Sequence, residues 1–438
     1  MKTDQQHSAN PASTQASIMA RALIPREMLS WALISVTLGA VEGGLLGVLV
    51  KTSYSGTTSP LLINLAVAVV SGAPAFANLI SFWFASWARG RDKVRLLSQL
   101  MFASACCVLL IAAAPRSLPG LLLLMLASVA ARMLWAATIT LRATVWRANF
   151  PRHVRARITG QMTTLSSLLI AASSAVLGAL LDQHALLARL LWLLTALSGF
   201  AAAMVYRRGR IRRHQHILKL ERQVVDSDGS SHLWQRFLAV LRDDFAFRRY
   251  MQAMFVFGTG NLMVTAPLII LLNEQFGLER LQQVLITTSI PLLLLAVSVP
   301  FWARLLDGQH IIPYRARQSW GFVLAIGFFA AACMFDAGWL LWAGGGMLGI
   351  AYGGGVLGWN LGHNDFSSDH SSELYMGVHV TLTGLRGLIM PAVGVLIYEL
   401  LEAWQPGWGR YSLLVPLVLS TAGACWFVLM ARQQSKPS

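Results

Sequence analysis

About twelve apolar stretches, each close to 20 residues or longer, follow one another down this chain, most of them joined by short polar links. A helix needs roughly 20 such residues to cross the hydrocarbon layer of a bilayer, so the pattern predicts an all-α polytopic membrane protein. The runs of the first half are 28–50, 61–87, 96–114, 118–145, 159–181 and 185–206. A hydrophilic stretch, 207–249, separates them from 250–272, 281–303, 317–335, 339–359, 375–400 and 412–430. Composition closes the other routes. With 55% hydrophobic and 12% charged residues in 438, the charged fraction is about half that of soluble chains, too little to cover globular domains and far too apolar for disorder.

The net charge of +16 is explained by its distribution. One side of the predicted membrane collects Arg89, Arg91, Lys93 and Arg95, then Arg147, Arg152, Arg155 and Arg157, then Arg207, Arg208, Arg210, Arg212 and Arg213. The other keeps Lys51, Arg116, Arg189, Arg280 and Arg410. The positive-inside rule places the first set, and both termini, in the cytoplasm, and the basic charge marks topology instead of nucleic-acid binding. The chain divides into a disordered cytoplasmic tail (1–27), a six-helix bundle (28–206), a central loop (207–249), a second six-helix bundle (250–430) and a short tail (431–438). Within the loop, 232–240 is amphipathic, with Leu233, Trp234, Phe237 and Leu238 beside Arg236. It reads equally as a helix flat on the inner leaflet or a plain linker.

Cys106, Cys107, Cys333 and Cys425 fall inside apolar runs and read as small core residues. No phosphate-binding glycine loop, His-Glu-x-x-His motif or carboxylate cluster is present, so neither enzyme, cofactor nor metal site is expected. The two halves echo each other. Trp87-Ala88-Arg89 ends the second run and Trp302-Ala303-Arg304 the eighth; Asn149-Phe150-Pro151 pairs loosely with Asn364-Asp365-Phe366; Gly39-Ala40-Val41-Glu42 pairs with Gly258-Thr259-Gly260-Asn261. The shared order points to duplicated halves.

With this six-plus-six layout and long central loop, the chain resembles the major facilitator superfamily over roughly 28–430. The family's signature between its second and third helices is G-x-x-x-D-R-x-G-R-R or a close variant. The matching stretch here, Trp83 to Lys93, keeps Gly90 and Arg91, with Trp83 at the first glycine position and Trp87 in place of the aspartate. In the family that aspartate joins a charge network closing the cytoplasmic side. A Trp cannot do so, and the latch is either carried elsewhere, for example by Asp307 in the second-half copy, or the outward state is held differently. Arg89, Gly90 and Arg91 remain gate candidates.

Charged side chains within the bilayer cost several kcal/mol unless paired or hydrated, so each is a functional candidate. Glu42, Arg132 and Arg386 lie midway along the first, fourth and eleventh runs. At 1.5 Å per residue Glu42 and Arg132 both come out roughly 20 Å deep, so they can pair, and the resemblance implies that both face a central cavity. Glu42 is then either a proton carrier tuned by Arg132 or half of a permanent ion pair. Asn261, its counterpart, offers hydrogen bonds to substrate or holds helices together. Arg386 has no carboxylate at its own depth in its own run and could hold an anionic group or share Glu42 when the halves close. Tyr352, in the glycine-rich tenth run, could donate to cargo; that helix either bends as a gate or packs closely. The acidic loop with Asp365, Asp369 and Glu373 has Arg152, Arg155 and Arg157 as partners across the halves, or Arg304 and Arg315 within its own half.

Together these features predict a secondary transporter in a bacterial cytoplasmic membrane, working by alternating access, coupled to protons through Glu42, with a weak preference for an anionic small molecule. Its partners are the bilayer, the substrate and protons, without nucleic acid. A non-transporting receptor or assembly factor on the same fold is the alternative. Transport predicts Glu42, Arg132 and Arg386 around one wet cavity; a receptor predicts dry helix contacts and a structured central loop.

Overall fold

The computed structural model describes residues 18–80, 83–84, 87–150, 152–183, 185–211, 214–215, 218–219, 221–222, 233–367 and 372–434. Among them, twelve helices are long and apolar enough to cross a membrane: α1 (Leu23–Ser53), α2 (Pro60–Ile80), α3 (Lys93–Ala113), α4 (Leu118–Asn149), α5 (Arg157–Gln183), α6 (Leu186–Arg207), α7 (Phe245–Glu274), α8 (Arg280–Leu306), α9 (Ile311–Phe335), α10 (Trp339–Leu361), α11 (Leu374–Trp404) and α12 (Trp408–Gln434). Large apolar side chains such as Leu126, Leu186, Met204, Val297 and Phe301 stay exposed along them. That is the expected surface for a protein whose solvent is lipid, and it explains why the runs are apolar all round.

The packing repeats between the halves. In the first, α1 meets α5 and α6, α2 meets α4, and α3 meets α4 and α6; in the second, α7 meets α11 and α12, α8 meets α10, and α9 meets α10 and α12. Two further contacts, α2 with α11 and α5 with α8, join the halves and are themselves a symmetric pair. The architecture is thus two pseudo-symmetric six-helix bundles. Helix starts are set locally: Ser59, Asp92, Ser117 and His310 each accept a hydrogen bond from the first turn of α2, α3, α4 and α9.

Two boundaries differ most from the sequence expectation. The second run was expected to continue to 87, but its regular α-helix gives way to a 3₁₀ turn at Ala77–Ile80, just after Pro74 removes a donor. The ninth helix starts at Ile311, six residues before 317, so Arg315 belongs to the span and is only 2% exposed. Counting apolar residues assigned that arginine to a loop.

The glycines of α10 close on its neighbours. A Cβ at Gly345 would sit 2.8 Å from the carbonyl oxygen of Ile286, one at Gly349 2.6 Å from that of Pro291, and one at Gly353 2.1 Å from the Ser298 hydroxyl. These contacts are close packing against α8. Gly349→Val is therefore expected to lower thermal stability by about 1–3 kcal/mol. Gly346→Val, whose Cβ would meet only Leu294 at 3.6 Å, should melt within about 1 °C of the wild type, and equal losses in both would refute the packing account.

Candidate functional site

The centre of the molecule is built on a break. The first helix stops at Gly39 and restarts at Gly43, with Glu42 in extended geometry as the residue before the second piece. A break within a membrane span frees backbone carbonyls that need donors. Ser174 of α5 donates to the Gly39 carbonyl at 2.9 Å, Trp192 of α6 to that of Ala40 at 3.2 Å, and the Arg132 Nε of α4 to that of Val41 at 3.0 Å. The Arg132 Nη2 also donates to the Glu42 carboxylate in an ion pair, with the two side chains 7% and 21% exposed. Arg132 therefore holds the broken backbone and the carboxylate together, while one edge of Glu42 stays open. Tyr352 of α10 lies within electrostatic reach of Glu42 and packs its ring edge-on against Phe322.

The seventh helix carries the matching break, between Leu262 and Thr265, directly after Asn261. Asn261 accepts a hydrogen bond from the Ser420 hydroxyl at 3.2 Å. Arg386 stands apart from Glu42. It donates from Nη1 to the carbonyls of Met254 and Phe255, from Nη2 to Thr383, and from Nε to Leu382, and it is 2% exposed. Gly258 leaves the space its guanidinium fills, since a Cβ there would fall 2.0 Å from Nη1.

At the end of the bundle bearing the sparse charges, the halves are fastened together. The Lys51 ammonium bonds to Glu274 and to Asn64, the hydroxyl of Tyr398 donates to Glu274, and Asn64 donates to Glu399. Beside them Arg280 donates to Thr52 and to the Leu181 carbonyl, while its own amide and that of Leu281 donate to Asp182. Sequence reasoning treated Lys51 and Arg280 only as loop charges. Between α2 and α11, Gly72 and Gly387 meet so closely that a Cβ at Gly72 would lie 2.8 Å from the Gly387 carbonyl.

At the opposite, basic end no hydrogen bond joins the halves among the described residues. Trp87, in the position of the family's aspartate, lies under Arg91 with the guanidinium 4.2 Å from the ring centroid. Arg89 and Arg91 are exposed. The carboxylate the motif lacks comes from the central loop: Glu221 accepts from the Gly90 amide at 2.9 Å and pairs with Lys93, which is 5% exposed. Gly90 has φ +71°, a conformation that suits glycine. No local signal marked Glu221, because its partners are about 130 residues away. Glu221→Ala would leave the Lys93 ammonium buried and unpaired at about 1–3 kcal/mol. Tryptic cleavage of the central loop should then speed up about fivefold or more, the factor that 1 kcal/mol gives; an unchanged rate would show the contact to be idle.

The remaining gate candidates scatter. Asp365 accepts from the Ile311 amide at 2.6 Å and lies 4.0 Å from His310, thus pairing within its own half at the start of α9. Asp307 follows the last turn of α8 and is exposed, as is Arg157. The side chains of Arg152, Arg155 and Glu373, and all of Asp369, lie outside the described residues. His363, just beyond α10, is buried, and burial pushes its pKa below the ordinary value of 6.5. The unfolded chain therefore takes that proton more readily, and the stability His363 contributes near neutral pH is lost as pH falls below about 6.5.

A second buried cation went unnoticed in the sequence. Arg142 of α4 lies between Trp31 and Trp146, 2.9 Å and 3.8 Å from their ring centroids, with Glu27 in electrostatic reach and bonded to the Trp146 indole at 3.0 Å. Among the described residues no group of three or more His, Cys, Asp or Glu could hold a metal ion.

The sequence profile of the Major Facilitator Superfamily matches residues 28–391. No curated protein sequence matches the chain. Among solved structures, a D-xylose-proton symporter is similar at 12% identity and a TM-score of 0.70, covering 95% of this chain and 98% of the other. A bacterial homologue of the human lysosomal transporter Spinster, inward-facing and unoccupied, gives 13% and 0.70 with 97% and 100% covered. The nucleoside transporter NupG gives 13% and 0.69 with 93% and 99% covered. At these identities the likeness is one of fold.

Proposed function

Since the chain belongs to the major facilitator superfamily, and so to a family of secondary transporters, we propose that it couples solute movement to protons through Glu42 and that its substrate carries an anionic group. One observation carries the coupling: the Glu42 carboxylate sits at the break of α1, bound to Arg132 yet partly open. Protonation would remove the charge that Arg132 pairs with and so weaken the ion pair between α4 and the residue at the break. That gives a proton a mechanical consequence at mid-membrane. On the other half Tyr352, within electrostatic reach of Glu42, and Asn261, at the matching break, supply polar groups that a substrate can bridge when the halves close.

The basic end faces the cytoplasm in this reading, by the positive-inside rule, and the molecule, fastened at the sparse end, is open inward in a bacterial cytoplasmic membrane. The anionic preference rests on Arg315 and Arg386, buried arginines within the spans of the second half that bond no carboxylate among the described residues. The receptor alternative is favoured by the docking of Glu221 from the central loop and by Arg386, buried in helix contacts apart from Glu42; the open edge of Glu42 opposes it.

The test is substrate-stimulated proton movement in vesicles holding the purified protein, screened over pooled organic anions, drugs and sugars. Movement with an organic-anion pool is the expected result. Movement only with neutral or cationic pools removes the anionic part, and none with any pool from folded protein removes proton coupling.

A further inference from the structure

The two bundles treat buried positive charge differently. In the first, each buried arginine of α4 has an internal carboxylate: Glu42 for Arg132, and Glu27 within electrostatic reach of Arg142. In the second, Arg315 is 2% exposed, and its hydrogen-bonding neighbours, Gln318 and Tyr250, are neutral. Tyr250, eight residues before Gly258 as Trp31 is eight before Gly39, stands beside it within electrostatic reach. Arg315 and Arg386 both reach His379, which is fully buried.

Polar atoms are left over here. The Arg315 Nε, both ring nitrogens of His379 and the Nδ1 of His363 are buried without a hydrogen-bond partner. Buried polar atoms are nearly always satisfied, and a group of orphans in one place calls for an occupant. Glycine lets these side chains lie against α10 and the turn after it: a Cβ at Gly358 would come within 2.7 Å of the Arg315 guanidinium, and one at Gly362 within 2.6 Å of the Tyr250 hydroxyl. Asp365, the acid at the mouth of this region, is committed to the Ile311 amide and lies partly in solvent. Water could fill the donors but leaves the guanidinium uncompensated, and a lone charge is what such an interior tolerates least.

We propose that this part of the second bundle binds an oxyanion, held by Arg315, Tyr250 and His379, either as a free inorganic ion or as the carboxylate or phosphate group of a substrate. The inference deepens the anionic preference proposed above and does not depend on proton coupling. Its failure leaves Glu42 untouched, and loss of coupling in Glu42→Gln leaves the anion site in place.

The experiment is thermal unfolding of the full-length protein in detergent at constant ionic strength, with chloride exchanged for inorganic phosphate or for acetate. At least one of the two should raise the melting temperature by about 2 °C or more. Arg315→Gln should abolish the rise. Gln318→Glu should also abolish it, because the new carboxylate sits where Gln318 already accepts from Arg315 at 2.9 Å, although it loses the bond to Ala351. A rise with phosphate alone identifies a site for phosphate-class anions; a rise with acetate identifies a carboxylate-bearing occupant. No rise in the wild type, or an undiminished rise in Gln318→Glu, overturns the proposal.

Discussion

Glu42→Gln is expected to reduce proton-driven accumulation of substrate to none while leaving exchange of substrate across the membrane intact. One pH unit across the bilayer is worth about 1.4 kcal/mol per proton and sustains about tenfold accumulation at one proton per substrate. A glutamine of the same shape cannot take up and release the proton, so the gradient has no hold on the cycle and the ratio falls to unity. Exchange survives because it needs only reorientation of the loaded carrier, and Gln keeps an acceptor for Arg132. Radiolabelled uptake and counterflow in the same vesicles separate the two. Accumulation that persists near tenfold in Glu42→Gln would make the Glu42–Arg132 pair structural. Arg132→Lys adds a second reading: it retains the charge but loses the Nε bond to the Val41 carbonyl, so it should impair exchange as well as coupling.

How much of this site could be read beforehand follows from what kind of information each residue carries. Equal depth of Glu42 and Arg132 is a counting argument, and the structure does bring them into contact. The break at Glu42 was not legible, because Gly39-Ala40-Val41-Glu42 contains no proline and the hydropathy runs straight through it. Only the donors that satisfy its carbonyls, on α4, α5 and α6, make the break tenable. Arg386 was legible as a mid-membrane charge, but its neighbours were sought among carboxylates, and the structure gives it backbone carbonyls opposite a glycine. Arg315 was hidden by the rule that found the helices: a window that scores apolar residues ends a span early when its first turn carries a buried cation. The twelve spans themselves needed only composition and length, which is why they survive while partners separated by a hundred residues or more do not.

Among the residues that only the fold reveals, Glu274 carries the second large effect. Glu274→Gln is expected to shift the molecule from the conformation fastened at the sparse end towards one open there, by about 5–150-fold. Lys51 is 6% exposed and reaches Glu274 on the other half and Asn64 on its own. Removing the carboxylate's charge leaves a buried ammonium with neutral acceptors only, at about 1–3 kcal/mol. The reverse change is milder. Glu274 is 41% exposed on its side chain and keeps the Tyr398 hydroxyl, so Lys51→Met leaves a charge that water already screens, and exposed pairs contribute little. The two halves of one ion pair are thus predicted to be unequal. Spin labels at Ser55 and Glu279, both exposed and on opposite halves, would report the opening as a longer distance population in a background without native cysteines. That population should grow strongly in Glu274→Gln and little in Lys51→Met. Equal growth in the two variants would mean that the attraction itself, and not the cost of stranding Lys51, holds the halves together, and no growth in either would place the fastening at the glycine contact of α2 and α11 instead.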